Sequence, residues 1–279
     1  AAQMLNFPVA GGTSGHLIGA VLATVLLGPS AAVLALSAVL ILQCFMFADG
    51  GVTALGANLF NMALLAPAAG YGVYLLVTRL AGQELRGRLF ATAFAAWCST
   101  VAASVACAAQ LAMSGTVAWK AGFPAMATVH MVIGLGEALI TTLIVAAVAK
   151  ARPDLLTEGA HTDLQPRYRE LAIYGVLVCL GLVVFLSPVA SSWPDGLEKV
   201  ASALGFENRA AATPTAPAPL PDYRFPGLHS AVSATVVAGL IGTLIAFILA
   251  FLLARLLTPA APVNSKGGFP DSYGTPTCP

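Results

Sequence analysis

The sequence predicts an all-α fold of the polytopic membrane class: about six spanning helices, one short or re-entrant helix and one outer loop region. Three observations carry that expectation. Hydrophobic residues make up 58% of the 279 and charged residues only 9%, where soluble domains hold about a quarter charged residues. Successive apolar runs are long enough to cross a ~30 Å hydrocarbon core at 1.5 Å of helical rise per residue. The alternating pattern of a membrane-spanning barrel is absent.

Residues 1–7 read as the end of a membrane helix stopped by Pro8, ahead of the polar turn Gly11-Gly12-Thr13-Ser14-Gly15-His16. The run 17–27 breaks at Gly28-Pro29 and amounts to only about 16 Å of helix. It is either a re-entrant half-helix or one extended by its flanks. Spanning helices are expected over 31–47, 58–80, 89–113, 123–149, 171–189 and 228–257. Between the last two lies the extramembrane segment 191–226. There Ser192-Trp193-Pro194-Asp195 starts a short amphipathic helix with Leu197, Val200 and Leu204 at helical spacing, ending near Gly205. Residues 213–221 are Pro/Ala-rich and predict an extended connector. The Pro/Gly-rich tail after Pro259 predicts a disordered cytoplasmic end.

Cytoplasmic loops hold the excess of Lys and Arg. Arg79, Arg86 and Arg88 mark one such loop, and Lys150, Arg152, Arg167 and Arg169 another. Counting helices from them puts 48–57, 114–122 and 191–226 outside, with the His16 turn also outside if 17–27 reaches the inner face. The expected location is a cell membrane, multi-pass, of the bacterial inner-membrane kind. A net charge of +1 with no basic arm gives no support to a nucleic-acid partner. Cys44, Cys98, Cys107 and Cys179 lie in apolar runs without C-x-x-C spacing, and Cys278 lies in the tail, so neither a disulfide framework nor a zinc site is expected. With no P-loop, nucleophile elbow or H-E-x-x-H, the chain is not expected to be an enzyme and has no ATP site.

Lipid cannot hydrogen-bond irregular backbone, so a glycine-rich turn at membrane depth is buried in protein or lines a cavity. That makes His16 the first candidate for a bound solute, with Thr13 and Ser14 placed to orient its second ring nitrogen; its bland reading is a hydrogen-bonded packing residue. Glu137 lies deep in an apolar run, with His130 seven residues earlier on the same helix face. The pair reads either as a proton or ion relay or as a helix clamp among the small residues Gly134, Gly136 and Ala138. Asn58 and Asn61 begin a predicted helix, as caps or as lining of a pocket beneath His16. Asp49 reads as a turn residue, Asp195 and Glu198 as a solvated face, His161 as solvated, and His229 as the start of the last helix.

Three stretches resemble a known family: residues 7–17, then Asp49-Gly50-Gly51 with Leu55-Gly56-Ala57-Asn58, then Gly136-Glu137-Ala138-Leu139-Ile140-Thr141. They are similar to the membrane substrate-binding component of cobalt/nickel energy-coupling-factor transporters, CbiM or NikM. The second half resembles its companion NikN through Pro194-Asp195-Gly196-Leu197-Glu198. The resemblance implies a fusion, with a metal-binding membrane domain over 1–156 and a NikN-like part over 157–279. It also implies that Co²⁺ or Ni²⁺ is the transported substrate, held by nitrogens from an N-terminal Met-His and from the His matched by His16. Ala1-Ala2-Gln3 supplies no Met-His, so the expectation is either that the sequence lacks roughly the first helix and a half or that the site is incomplete. Implied partners are a transmembrane coupling protein and cytoplasmic ATPases. The alternative is a proton-coupled secondary carrier using His130 and Glu137.

Overall fold

The computed structural model describes residues 2–151, 168–209 and 216–257. Among them are six helical segments long and apolar enough to cross a membrane. In chain order the α-helices are α1 (Ala20–Leu27), α2 (Pro29–Phe47), α3 (Gly51–Asn58), α4 (Ala66–Ala81), α5 (Leu85–Met113), α6 (Trp119–Ala151), α7 (Tyr168–Leu186), α8 (Gly196–Leu204) and α9 (Ala231–Leu257). The loop 150–170 with His161, residues 213–215 of the connector and the tail after Pro259 lie outside the described residues, except for the helical ends at Ala151 and Tyr168.

One expectation changes at the start of the chain. Residues 1–7 are not the end of a spanning helix: Ala2–Met4 form one 3-10 turn, and β1 (Asn6–Val9) pairs antiparallel with β2 (Thr13–His16), Asn6 opposite His16. Apolar residues here satisfy a short hairpin packed on a helix as well as they would a helix, and Pro8, lacking an N–H, costs nothing at a strand edge. The half-helix expectation is met by α1, whose eight residues extend about 12 Å. Gly28 closes it at φ 83°, and Pro29 opens α2.

The third run begins earlier than residue 58. A continuous helical stretch covers Gly51–Ala81, with a π-helical turn over Leu59–Leu65 joining α3 to α4. Asn58 and Asn61 therefore cap nothing. Asn61 sits inside that turn and exchanges two hydrogen bonds with Gln110 of α5, at 2.8 and 3.0 Å. The last helix starts at Ala231 rather than at His229.

Packing centres on α5 and α6. Ala91, Ala95, Ser99 and Ala103 are buried along one face of α5, four residues apart, the small-residue seam that lets membrane helices approach closely. Trp97 of α5 donates its indole N–H to the Met131 carbonyl of α6 at 2.9 Å.

One end of the bundle is tied by segment 191–226. Arg209 donates to the carbonyls of Gly115 and Thr116, and the Leu220 N–H donates to Met46. Tyr223 stacks on Phe47 with ring centroids 4.3 Å apart and donates its hydroxyl to Asp49 at 2.6 Å. Asp49 is thus an anchor for the returning chain, beyond its turn role. Burial and the Asp49 carboxylate push the Tyr223 phenol well above the ordinary tyrosine range, which keeps its proton in that bond. The opposite end carries the Leu27–Pro29 turn, beside Ala250 and Ala254 of α9. The loops after α2 and α5 thus lie at the same end, joined there by segment 191–226.

Candidate metal-capture site

The hairpin holding His16 lies between α6 and segment 191–206. Its turn uses Gly11 and Gly12 at φ 87° and 71°, values that other residues rarely adopt. Below, Phe7 lies so close to Gly136 of α6 that a Cβ there would collide with its ring, and Gly15 meets Ile133 in the same way. Above, Ser14 donates its N–H to the Pro194 carbonyl at 2.8 Å and its hydroxyl to the Trp193 carbonyl at 2.7 Å, while Thr13 donates its hydroxyl to Pro194 at 3.0 Å. The Ser191 N–H donates to Asn6 at 2.7 Å. Thr13 and Ser14, expected to orient the imidazole of His16, instead fasten the hairpin to the outer segment.

That outer segment is organised by α8. The Asp195 side chain accepts from the Glu198 N–H and the Glu198 side chain accepts from the Asp195 N–H, a reciprocal capping box. Gly205 closes the helix in the left-handed conformation. Asp195 and Glu198 are therefore caps and not merely a solvated face. Val200, Ala201 and Phe206 pack with Met126 of α6 and Ala108 of α5, so the amphipathic face seats on the bundle. Gly196 rests on His130: a Cβ there would come 2.7 Å from Cε1 and Nε2 of the ring and from Cδ1 of Ile133. Gly196→Ala is accordingly expected to cost about 1–3 kcal/mol as overpacking. The check is the unfolding midpoint in detergent, which should fall, whereas Ser202→Ala on the exposed face of α8 should leave it within error.

After His16 the chain is non-helical for three residues before α1, at the level of the middle of α6. Its polar groups are met individually. Glu137, 1% exposed, accepts the Ile18 N–H at 2.8 Å and the Gly19 N–H at 2.9 Å, one on each carboxylate oxygen. Gln3 donates its amide to the Ile18 carbonyl at 2.9 Å. The peptide two residues beyond His16 is thereby held from both sides, and Glu137 clamps backbone and not a second helix's side chain. Nothing in the local sequence announced these partners, because a backbone N–H has no residue signature.

His16 itself is half-buried and its imidazole has no hydrogen bond among the described residues. His130 binds the Met126 carbonyl through Nδ1 at 2.8 Å. It lies within electrostatic reach of His16 and Asp195, but no contact joins it to Glu137 among the described residues. Asn58 and Asn61 are not brought to His16: Asn58 lies against Gly50 and Asn61 against Gln110. No group of three His, Cys, Asp or Glu side chains converges among the described residues.

Fold and site together define a class: a multi-pass helical membrane protein that buries a polar, imidazole-bearing loop in its own bundle. Residues 1–155 match the family described as the cobalt uptake substrate-specific transmembrane region, CbiM, and residues 169–259 match the PDGLE domain. The chain belongs to that CbiM family. It is 37% identical over 241 residues to a protein of Archaeoglobus fulgidus provisionally named as a fused nickel transport protein, NikMN, covering 86% of this chain and 77% of the relative. It is 34% identical to the fused nickel transport protein NikMN of Rhodobacter capsulatus, covering 76% of this chain and 65% of the relative. A crystal structure of a transition metal transporter superposes with a TM-score of 0.48 at 36% identity, over 54% of this chain and 70% of that one.

Proposed function

We propose that this chain is the metal-capturing membrane component of an ATP-driven energy-coupling-factor importer, with His16 donating an imidazole nitrogen to Co²⁺ or Ni²⁺. Family membership makes it a cobalt/nickel transport component; the coupling to ATP and the ligand role of His16 are the proposed steps. The observation that carries the reading is the His16 loop itself. An imidazole without a hydrogen bond among the described residues ends a hairpin fastened on one side by Thr13 and Ser14 and precedes backbone fastened on the other by Glu137. Such a loop presents one nitrogen in a fixed position, which lowers the ordering cost of binding. Imidazole is a donor suited to Ni²⁺ and Co²⁺ alike, and protons compete for the same nitrogen, so capture weakens on acidification.

In this reading residues 1–156 hold the metal, and 157–279 are a companion part whose outer helix clasps the metal loop for loading or release. The work of transport falls to partners, a transmembrane coupling protein and cytoplasmic ATPases, since the sequence carries no ATP-binding motif. The alternative carrier needs Glu137 free to exchange protons with His130, whereas both of its oxygens are engaged by backbone N–H groups.

Radiolabelled Ni²⁺ uptake into proteoliposomes separates the two. We expect uptake that requires the coupling protein, the ATPases and Mg-ATP. Uptake by this chain alone, driven by a pH gradient and abolished in Glu137→Gln, would overturn the ATP-driven reading in favour of the carrier.

A further inference from the structure

A cavity of about 40 Å³ lies between the N-terminal segment, α2 and α9, lined by Gln3, Met4, Gln43, Tyr223, Gly239 and Thr243 among others. A water needs roughly 10–15 Å³ by this measure, with two or more polar partners. Two buried oxygens at the cavity, Gln3 Oε1 and Thr243 Oγ1, have no hydrogen-bond partner among the described residues, and Thr243 is 4% exposed. Threonines in membrane helices usually donate back to the carbonyl one turn earlier, as Thr92 and Thr100 do at 2.8 and 3.1 Å. Thr243 does not. Met4 and Phe47 pack directly on α9 beside the cavity, where a Cβ on Gly239 would meet Met4 and one on Gly242 would meet Phe47.

We infer that this cavity holds ordered water bridging Thr243 to Gln3, and that the bridge ties α9, in the PDGLE half, to the loop carrying His16. The donor and acceptor roles fit. Gln3 Oε1 only accepts, and a water can donate to it while accepting from the Thr243 hydroxyl. The lining polar groups are neutral, which suits water and not a bare cation. From Gln3 the link continues through its amide to the Ile18 carbonyl at 2.9 Å, two residues past His16. The tie to metal rests on the proposed role of His16, whereas the water does not.

Radiolytic hydroxyl-radical footprinting of the full-length protein in nanodiscs reads the water directly, since Met4 lines the cavity and its thioether reports radicals formed beside it. Thr243→Val keeps the shape and removes the hydroxyl; Thr243→Ser restores it. Met4 oxidation should slow in Thr243→Val and recover in Thr243→Ser, and Ni²⁺ affinity should fall by about threefold or more in the valine variant alone. Equal Met4 oxidation in wild type and Thr243→Val would overturn the water site. Slower oxidation with unchanged Ni²⁺ affinity would overturn the tie to the metal loop. Absence of Ni²⁺ binding by the wild type would overturn the role of His16 and the tie with it, while the footprint would still decide the water.

Discussion

His16→Ala in the full-length protein is expected to lower Ni²⁺ and Co²⁺ affinity by more than about 100-fold, because loss of a ligand exceeds the 10–100-fold effect of losing a ligand's outer partner. Isothermal titration in detergent at neutral pH measures it. The unfolding midpoint of the metal-free protein provides the internal control. The imidazole has no hydrogen bond to lose among the described residues, so the apo midpoint should stay close to that of the wild type. A variant that binds Ni²⁺ like the wild type would remove His16 from the site. One that loses binding together with a large drop in apo stability would make His16 a packing residue.

The spanning helices were legible because bilayer thickness imposes a run length, and runs such as 31–47 and 89–113 carry no competing pattern. The capping box of α8 was half legible: Ser192-Trp193-Pro194-Asp195 marks the helix start, but Asp195 and Glu198 both read as a solvated face, since each finds its partner in the other's backbone N–H. The hairpin was not legible as strands. Four-residue strands are too short for period-2 alternation to stand out, and residues 1–9 are apolar enough to imitate a helix end. Asn61 and Gln110 lie 49 residues apart, and sequence position alone does not pair two amides across two helices. For the site, the glycine-rich turn pointed to His16, and Glu137 drew attention as a deep acid. The fastening of Thr13 and Ser14 to Trp193 and Pro194 spans about 180 residues and runs through carbonyl oxygens, which every residue has.

Glu137→Ala is expected to be the most damaging single substitution in the membrane interior. It leaves the Ile18 and Gly19 N–H groups buried without acceptors, at about 1–3 kcal/mol each, and empties the space of the side chain as well. Against a total stability of about 5–15 kcal/mol, that is a loss large enough to reduce the amount of folded protein recovered in detergent. Glu137→Gln is the more informative variant. Its amide oxygen can still accept one N–H, but its NH₂ then faces the other, donor against donor. A clamp therefore predicts partial loss on every readout together: a lower unfolding midpoint, faster hydrogen exchange at Ile18 and Gly19, and weaker Ni²⁺ binding, with Glu137→Ala worse on each. A proton-handling acid predicts a different pattern, because glutamine would leave stability and exchange near wild type while transport stops. The two roles of Glu137 are thus separated by whether transport and loop protection fall in step, and the two N–H bonds to its carboxylate are the reason they should.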